Sequence, residues 1–147
     1  MRIPKDSFLL KRPIAHRGLH GIISENSMPA FEEAARAGYA IETDVRLSAD
    51  GKLILFHDSQ LLRMTGAHGR ADEKTFDELK TLRLKGSNEC IPLLADLLQL
   101  LRHTQTPLLL ELKDDPKRAE LTDAVLHEMK NFDGEFALQS FDPRILL

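Results

Sequence analysis

Short apolar runs alternate with longer amphipathic stretches along the chain, a pattern typical of an α/β domain. Runs that fit strands lie at residues 12–15, 40–47, 52–58, 107–113 and 136–141. Stretches with helical spacing lie at residues 28–38, 92–104 and 115–132. This order predicts β–α–β units whose strands run parallel in one sheet.

The predicted helices carry recognisable end signals and apolar faces. Ser27 is suited to cap the first helix, Pro29 to occupy its first turn and Gly38 to end it. The two later helices have apolar faces that comprise Leu94, Leu97, Leu98 and Leu101 in one, and Leu121, Ala124, Val125 and Met129 in the other. These faces predict packing into a common core.

The alternation stops after Asp58 for roughly thirty residues. Thr75 and Glu78 have the spacing of a capping box and predict a helix beginning there. We interpret residues 59–89 as a small insertion after the third strand, within a single domain that spans residues 1–147.

The composition limits the possible classes of function but does not identify one. The chain has 147 residues, of which 42% are hydrophobic, and a net charge of −3, so one core without a basic surface is expected. These values argue against nucleic-acid binding and against a purely electrostatic attachment to membranes, and no run is long enough to span a membrane. The single cysteine, Cys90, cannot form an internal disulfide, so a cytoplasmic location is the default expectation.

Ionisable residues gather where the predicted strands end. Glu42, Asp44 and Arg46 share one face of the second strand, because side chains alternate along a strand. The third strand is closed by His57, the fourth carries Glu111 and Lys113, and the first is followed by His16 and Arg17. The carboxyl ends of parallel strands meet at one rim of a sheet, which is where α/β enzymes place their sites.

Two interpretations of Glu42, Asp44 and Arg46 are open, namely the solvated face of an edge strand and a ligand site. Glu111 in a second strand favours the site, because a helix-covered parallel strand is buried on both faces and a carboxylate there needs a cation. Three carboxylates suit a hard divalent ion, Mg²⁺ or Ca²⁺. Zinc is disfavoured because the usual spacing of cysteine and histidine ligands is absent.

The histidines and cations complete a candidate reaction centre. A single histidine at a strand end is more often structural than catalytic, but His16 and His57 on the rim that carries three acids suit an acid and a base. His20, His68, His103 and His127 are interpreted as surface residues away from this rim. Three carboxylates, one divalent ion, Arg17 and Lys113 sum to a charge of +1, which complements a phosphodiester at −1. No GxxxxGK[ST] loop is present, which disfavours a nucleotide triphosphatase.

With these residues assembled, the sequence resembles the glycerophosphodiester phosphodiesterase family. The family's motifs are matched in order by AHRG, ENSMPAF, IETDVRLSADGKLILFHD, IPLLADLL, LLLELK and QSF. The resemblance implies a TIM (β/α)₈ barrel with a small insertion after the third strand, at the position of residues 59–89.

The resemblance also implies roles for individual residues. Glu42, Asp44 and Glu111 would bind the metal, His16 and His57 would act as acid and base, and Arg17 and Lys113 would contact the phosphate. Glu25 and Asn26 match a family motif and would have supporting or substrate-binding roles. The implied reaction is hydrolysis of a glycerophosphodiester to glycerol 3-phosphate and an alcohol. Attack by the glycerol 2-hydroxyl through a cyclic phosphate and direct attack by water at the metal are both open.

The chain departs from the family in its length, since a full barrel takes about 250 residues. Five predicted strands leave two open sheet edges, which favour pairing with another chain, and Asp142 with Pro143 would begin a helix of only about one turn. The sequence predicts a barrel truncated after the fifth strand, either as the amino-terminal part of a longer enzyme or as a chain that completes itself as a homo-oligomer. Two other hypotheses are a non-catalytic metal- and phosphate-binding module and a phosphodiesterase for lysophospholipids or sphingomyelin.

Overall fold

Strands and helices alternate along residues 3–145, the part of the chain that the computed structural model describes. In chain order they are α1 Phe8–Lys11, β1 Ile14–His16, α2 Met28–Arg36, β2 Ala40–Leu47, β3 Leu53–Leu55, α3 Leu62–Thr65, α4 Phe76–Leu79, α5 Leu94–Thr104, β4 Leu108–Leu112, α6 Arg118–Met129 and β5 Phe136–Gln139. A short 3₁₀ helix at Ala71–Glu73 lies between α3 and α4. All five predicted strands and the three long helices are present, with ends shifted by a few residues.

Four of the strands form a parallel sheet in the order β1–β2–β4–β5. The register places Glu42 opposite His16 in β1 and opposite Leu109 in β4. It also places Asp44 opposite Glu111. The predicted α/β fold with a parallel sheet is therefore confirmed for these strands.

The third strand differs from the prediction, because β3 runs antiparallel to β2, with Val45 opposite Leu55. The two strands are joined by a tight turn in which the Ser48 N–H donates to the Lys52 carbonyl at 2.9 Å. Gly51 adopts a φ of 77° in this turn. A connection this short can form a hairpin, whereas a parallel pair needs a crossover of about a dozen residues or more. The expectation that all five strands are parallel was wrong for this reason.

The hairpin places β1 and β3 on the same side of β2. Val45 of β2 pairs with β3 on one side and with β4 on the other. Glu42 of β2 pairs with β1 on one side and with β4 on the other. β1 and β3 therefore both lie on the side of β2 that faces away from β4. β1 therefore runs towards β3 and β3 runs back towards β1. The residues that follow them meet beside the centre of β2, where the N–H groups of Arg17 and Phe56 donate to the Glu42 and Asp44 carbonyls.

The three long helices and the apolar side chains of the sheet form the main core. Ser27 caps α2 by accepting from the Ala30 N–H, and Gly38 follows the end of that helix with a φ of 78°. The predicted apolar faces are buried in it, through Leu94, Leu97, Leu98 and Leu101 of α5 and Leu121, Val125 and Met129 of α6. This packing holds β2 and β4, the two strands that carry the acids, in a fixed register.

Residues 59–89 build a second, smaller apolar cluster on the other face of β3. Leu55 packs in the main core, whereas Ile54 and Phe56 pack with Leu61, Leu79 and their neighbours. The predicted capping box at Thr75 and Glu78 is present at the start of α4. That this segment is an insertion stays a prediction. Its apolar side chains pack against Ile54 of β3 and thereby attach the segment to the sheet.

Within residues 3–145, β1 and β5 each have one strand neighbour, so each presents an unpaired edge. Phe141, just beyond β5, is 87% exposed. Residues 142–145 form a turn in which Asp142 accepts from the Arg144 N–H, and the rest of the helix predicted there lies outside the described residues. No helix in the described part of the chain is long and apolar enough to cross a membrane.

Candidate active site

Three buried carboxylates form the centre of the site. Asp44 and Glu111 face each other across β2 and β4, and Glu42 lies two residues before Asp44 on the same face of β2. One oxygen atom from each of the three lies within 4.8 Å of the others. The sheet register thus brings together acids from two distant parts of the sequence in an arrangement that could hold a metal ion.

The electrostatics of this cluster fit a cation. Asp44 Oδ1 is buried and has no hydrogen-bond partner among residues 3–145, and the Lys113 Nζ lies 3.6 Å from it. Burial and the adjacent charges of Asp44 and Glu111 raise the pKa of Glu42 to about 7, although the Arg17 N–H opposes this. Like charges this close disfavour ionisation of all three unless positive charge is added. The donor set of carboxylate oxygens matches that preferred by Mg²⁺ and Ca²⁺.

Arg17 lies at the first turn after β1, with an unusual left-handed φ of 59°. Its N–H donates to the Glu42 side chain at 3.1 Å, and its guanidinium lies 3.4 Å from Asp44 Oδ2 and 3.2 Å from Glu25 Oε1. Gly18 follows with a φ of 81°, and a Cβ atom there would lie 2.8 Å from Ala30. Only glycine at this position lets the loop pass this close to α2. The path of the loop keeps Arg17 next to Glu42 and Asp44.

Glu25 and Asn26 contact the site residues from the side. The Asn26 amide donates to Asp44 Oδ2 at 3.0 Å and accepts from the Thr43 hydroxyl at 2.8 Å, and the residue is almost completely buried. Glu25 accepts from Arg17. These contacts join Glu25 to Arg17 and Asn26 to Asp44, and the supporting or substrate-binding roles expected of both residues stay predictions.

Lys113 lies between the acids of the two strands. Its Nζ donates to Glu111 Oε1 at 2.7 Å and lies 3.6 Å from Asp44 Oδ1. Together with Arg17 it supplies two positive charges beside three negative ones. Without a bound ion the local charge would therefore remain negative when all three acids are ionised.

The two predicted histidines lie in different surroundings. His16 is two-thirds exposed, and its Nε2 lies 3.8 Å from Glu42 Oε2. Partial burial and the charge of Arg17 lower the pKa of His16 against the opposing effect of Asp44, and the charges of His20 and His57 also lower it.

His57 is held by its sequence neighbour. Its Nδ1 lies 2.8 Å from Asp58 Oδ1, and Arg63 of α3 donates to the same carboxylate at 2.8 and 2.9 Å. Hydrogen bonds from Arg63 hold the pKa of Asp58 well below its usual range. Among residues 3–145, His57 thus has a partner at Nδ1 and no hydrogen bond at its other ring nitrogen, Nε2.

Arg46 shares the strand face predicted for it but binds backbone instead of the acids. Its Nε and Nη2 donate to the His57 carbonyl at 2.9 and 2.7 Å, and its Nη1 donates to the Asp114 carbonyl at 3.1 Å. The side chain is buried, and burial lowers its pKa. Arg46 therefore joins the segment after β3 to the segment after β4.

The structure brings all nine predicted site residues into one connected region. Seven of them, Arg17, Glu25, Asn26, Glu42, Asp44, Glu111 and Lys113, are linked by hydrogen bonds or ion pairs of 3.6 Å or less. Asp58 and Arg63 also belong to this region and were not among the predicted residues. The position of Asp58 directly after His57 was a usable signal, whereas nothing local indicates that Arg63 reaches Glu25.

Comparison with known proteins gives a consistent family match. Residues 16–147 match the model of the glycerophosphoryl diester phosphodiesterase family. The chain is 35% identical over 129 residues to the uncharacterized protein YqiK of Bacillus subtilis, covering 82% of this chain and 53% of YqiK. It is 46% identical over 67 residues to a glycerophosphodiester phosphodiesterase of Bacillus altitudinis, covering 45% of this chain and 27% of that protein.

Solved structures give the same result at the level of the fold. A phosphodiesterase from Oleispira antarctica, in complex with the product sn-glycerol-3-phosphate, superposes with a TM-score of 0.87 and 31% identity, covering 96% of this chain and 62% of that one. A glycerophosphodiester phosphodiesterase from Thermotoga maritima superposes with a TM-score of 0.77 and 31% identity, covering 90% of this chain and 55% of that one. The chain thus spans between about half and two thirds of the length of YqiK and of these two structures.

Proposed function

Because the chain belongs to the glycerophosphoryl diester phosphodiesterase family, we propose that the protein hydrolyses glycerophosphodiesters to glycerol 3-phosphate and an alcohol. The observation that carries the proposal is the cluster of Glu42, Asp44 and Glu111 beside Arg17 and Lys113. The Oleispira antarctica relative was solved with the corresponding product, sn-glycerol-3-phosphate, which supports the same product here.

Glu42, Asp44 and Glu111 would hold a divalent ion, Mg²⁺ or Ca²⁺. The bound ion supplies positive charge that offsets the negative charge of the phosphoryl oxygens. Arg17 and Lys113 would contact the remaining phosphate oxygens, because both already lie against Asp44 and carry donors suited to an anion. Glu25 and Asn26 would keep Arg17 and Asp44 in place.

His16 and His57 are proposed as the acid and the base. The contact between His57 Nδ1 and Asp58 suits His57 to receive a proton at Nε2, because the carboxylate stabilises the imidazolium that forms. His57 would take the proton from the attacking water or glycerol 2-hydroxyl as its oxygen bonds to phosphorus. If the glycerol hydroxyl attacks, a second step is needed in which water opens the cyclic phosphate to give glycerol 3-phosphate. His16 would give a proton to the leaving oxygen as the bond between phosphorus and that oxygen breaks, so the alcohol departs neutral.

The test is turnover of glycerophosphocholine, followed by ³¹P NMR with Mg²⁺, with Ca²⁺ and with EDTA. We expect metal-dependent formation of glycerol 3-phosphate, and a cyclic phosphate signal if the glycerol hydroxyl attacks. Substitution of His16 or His57 by alanine should lower kcat by about 10²- to 10⁴-fold. His103→Ala is the matched control, because His103 is exposed on α5 and contacts its own helix at the Gln99 carbonyl. A folded, homogeneous chain with no metal-dependent product would contradict the proposal.

A further inference from the structure

Arg63 connects two carboxylates that come from separate parts of the chain. Its guanidinium donates to Asp58 through Nε and Nη2 at 2.8 and 2.9 Å, and to Glu25 through Nη1 and Nη2 at 3.2 and 2.6 Å. Four of its five N–H donors are therefore used on two acids. A lysine ammonium lacks this planar fork and could not reproduce both contacts at once.

Each of these two carboxylates also contacts a candidate site residue, through an oxygen that accepts from Arg63. Asp58 Oδ1 lies 2.8 Å from His57 Nδ1, and Glu25 Oε1 lies 3.2 Å from Arg17 Nη1. Arg63 thus lies between the candidate acid–base residue and a candidate phosphate ligand. It belongs to α3, in the segment that was predicted to be an insertion.

The contact to Asp58 determines where the proton of a neutral His57 lies. An ionised carboxylate can only accept hydrogen bonds, so His57 Nδ1 must carry the proton and Nε2 must carry the lone pair. Arg63 donates hydrogen bonds to both Asp58 Oδ1 and Oδ2, which fixes the plane of the carboxylate. Without Arg63 the Asp58 side chain, which is about one quarter exposed, could turn towards water.

We propose that Arg63 is a positioning residue of the phosphodiesterase site proposed above, which fixes the ring tautomer of His57 through Asp58 and the place of Arg17 through Glu25. The inference rests on that proposed function for the roles of His57 and Arg17. Its structural part, the tautomer of His57, can be measured without any turnover.

The first experiment is long-range ¹H–¹⁵N NMR of the histidine rings in the 147-residue chain, at a pH where His57 is neutral. The His57 signals are assigned from their loss in His57→Gln. We expect the Nδ1–H tautomer in the wild type and a shift towards the Nε2–H tautomer in Arg63→Gln. Asp58→Asn should produce the same shift while leaving the contact between Arg63 and Glu25 in place, so it serves if Arg63→Gln does not fold.

Arg70→Gln is the matched control for the loss of an arginine from the same segment. Arg70 pairs with Asp72 and with Glu73, and no hydrogen bond or ion pair joins it to Glu25 or Asp58 among the described residues. The substitution Arg70→Gln should leave the tautomer of His57 unchanged. An unchanged tautomer in folded Arg63→Gln or in Asp58→Asn, or an Nε2–H tautomer in the wild type, would overturn the proposal.

Kinetics provide a second readout that a purely structural role would not produce. Asp58→Asn should lower kcat on glycerophosphocholine by on the order of 10- to 100-fold with little change in KM, the loss typical of outer partners of functional histidines. Arg63→Gln should lower kcat and also raise KM, because Arg17 loses its support. A shifted tautomer in a chain without turnover would contradict the proposed function alone, and normal turnover with an unchanged tautomer in both variants would contradict this inference alone.

Discussion

Asp44 lies directly opposite Glu111 in the parallel register of β2 and β4, and both are buried. Because this pair and Glu42 hold acidic oxygens within 4.8 Å of one another, a divalent ion should stabilise the folded chain. At 100 times its Kd such a ligand adds about 2.7 kcal/mol, which corresponds to a rise in Tm of roughly 5–10 °C for a chain of this size. Thermal unfolding with Mg²⁺ or Ca²⁺, against EDTA, measures the shift.

Asp44→Asn should abolish this shift in Tm, since it removes a central ligand. Asp77→Asn is the control, because Asp77 is exposed and, within residues 3–145, forms its ion pair with Lys80 three residues later. Equal metal-induced shifts in the wild type and in Asp44→Asn would show that the ion binds elsewhere.

Glu42 should make the stability of the metal-free chain depend on pH. Its pKa in the folded chain is about 7, above the 4.5 of an unperturbed glutamate, so the folded state holds more protons between these values. The free energy of unfolding should therefore fall as the pH rises from about 4.5 to about 7, by on the order of 3 kcal/mol from this group. The prediction is checked by urea unfolding in EDTA at about pH 5 and about pH 8.

Glu42→Gln removes this contribution, because glutamine stays neutral at every pH. The variant should lose less stability than the wild type between the two pH values. If both proteins show the same change, Glu42 does not titrate in this range.

Gly18→Ala should destabilise the chain and displace Arg17. A Cβ atom at this position would lie 2.8 Å from Ala30, and the φ of 81° is strained for alanine. We expect a loss of about 2 kcal/mol or more in the free energy of unfolding, together with weaker binding of phosphate esters. Gly21→Ala, where nothing lies within 4 Å of the added Cβ, should change stability by no more than about 0.5 kcal/mol. Equal effects of the two substitutions would contradict the role assigned to Gly18.

The unpaired edge of β5 should promote association of the chain. Phe136 and Phe141 are both exposed there, and an open strand edge offers backbone donors and acceptors to another strand. Light scattering, with and without Mg²⁺ or Ca²⁺, should give a mass above that of one chain as the concentration rises. Phe141→Ser should lower the mass at a given concentration. A monomer at every concentration would refute the predicted homo-oligomer.

The sequence predicted the strands and most of the site because period-2 patterns are local. Alternation in β2 placed Glu42, Asp44 and Arg46 on one face, and the structure confirms that the two acids meet Glu111. The direction of β3 depends on the short turn that contains Gly51, and not on the period-2 pattern of the strand itself. The contact between Arg63 and Glu25 arises from how β3 and α3 pack, so no local pattern could reveal it.

The pairing of strands around β2 divides the site between two parts of the chain. Glu42 and Asp44 lie on β2 itself, His16 lies on β1, and His57 follows β3, which pairs with the same side of β2 as β1. Glu111 lies on β4 and Lys113 directly follows it, on the opposite side of β2. The third acid is therefore next to the other two only while β4 stays paired with β2. A bound ion should accordingly oppose the separation of these two strands, so we expect it to slow the unfolding of the chain.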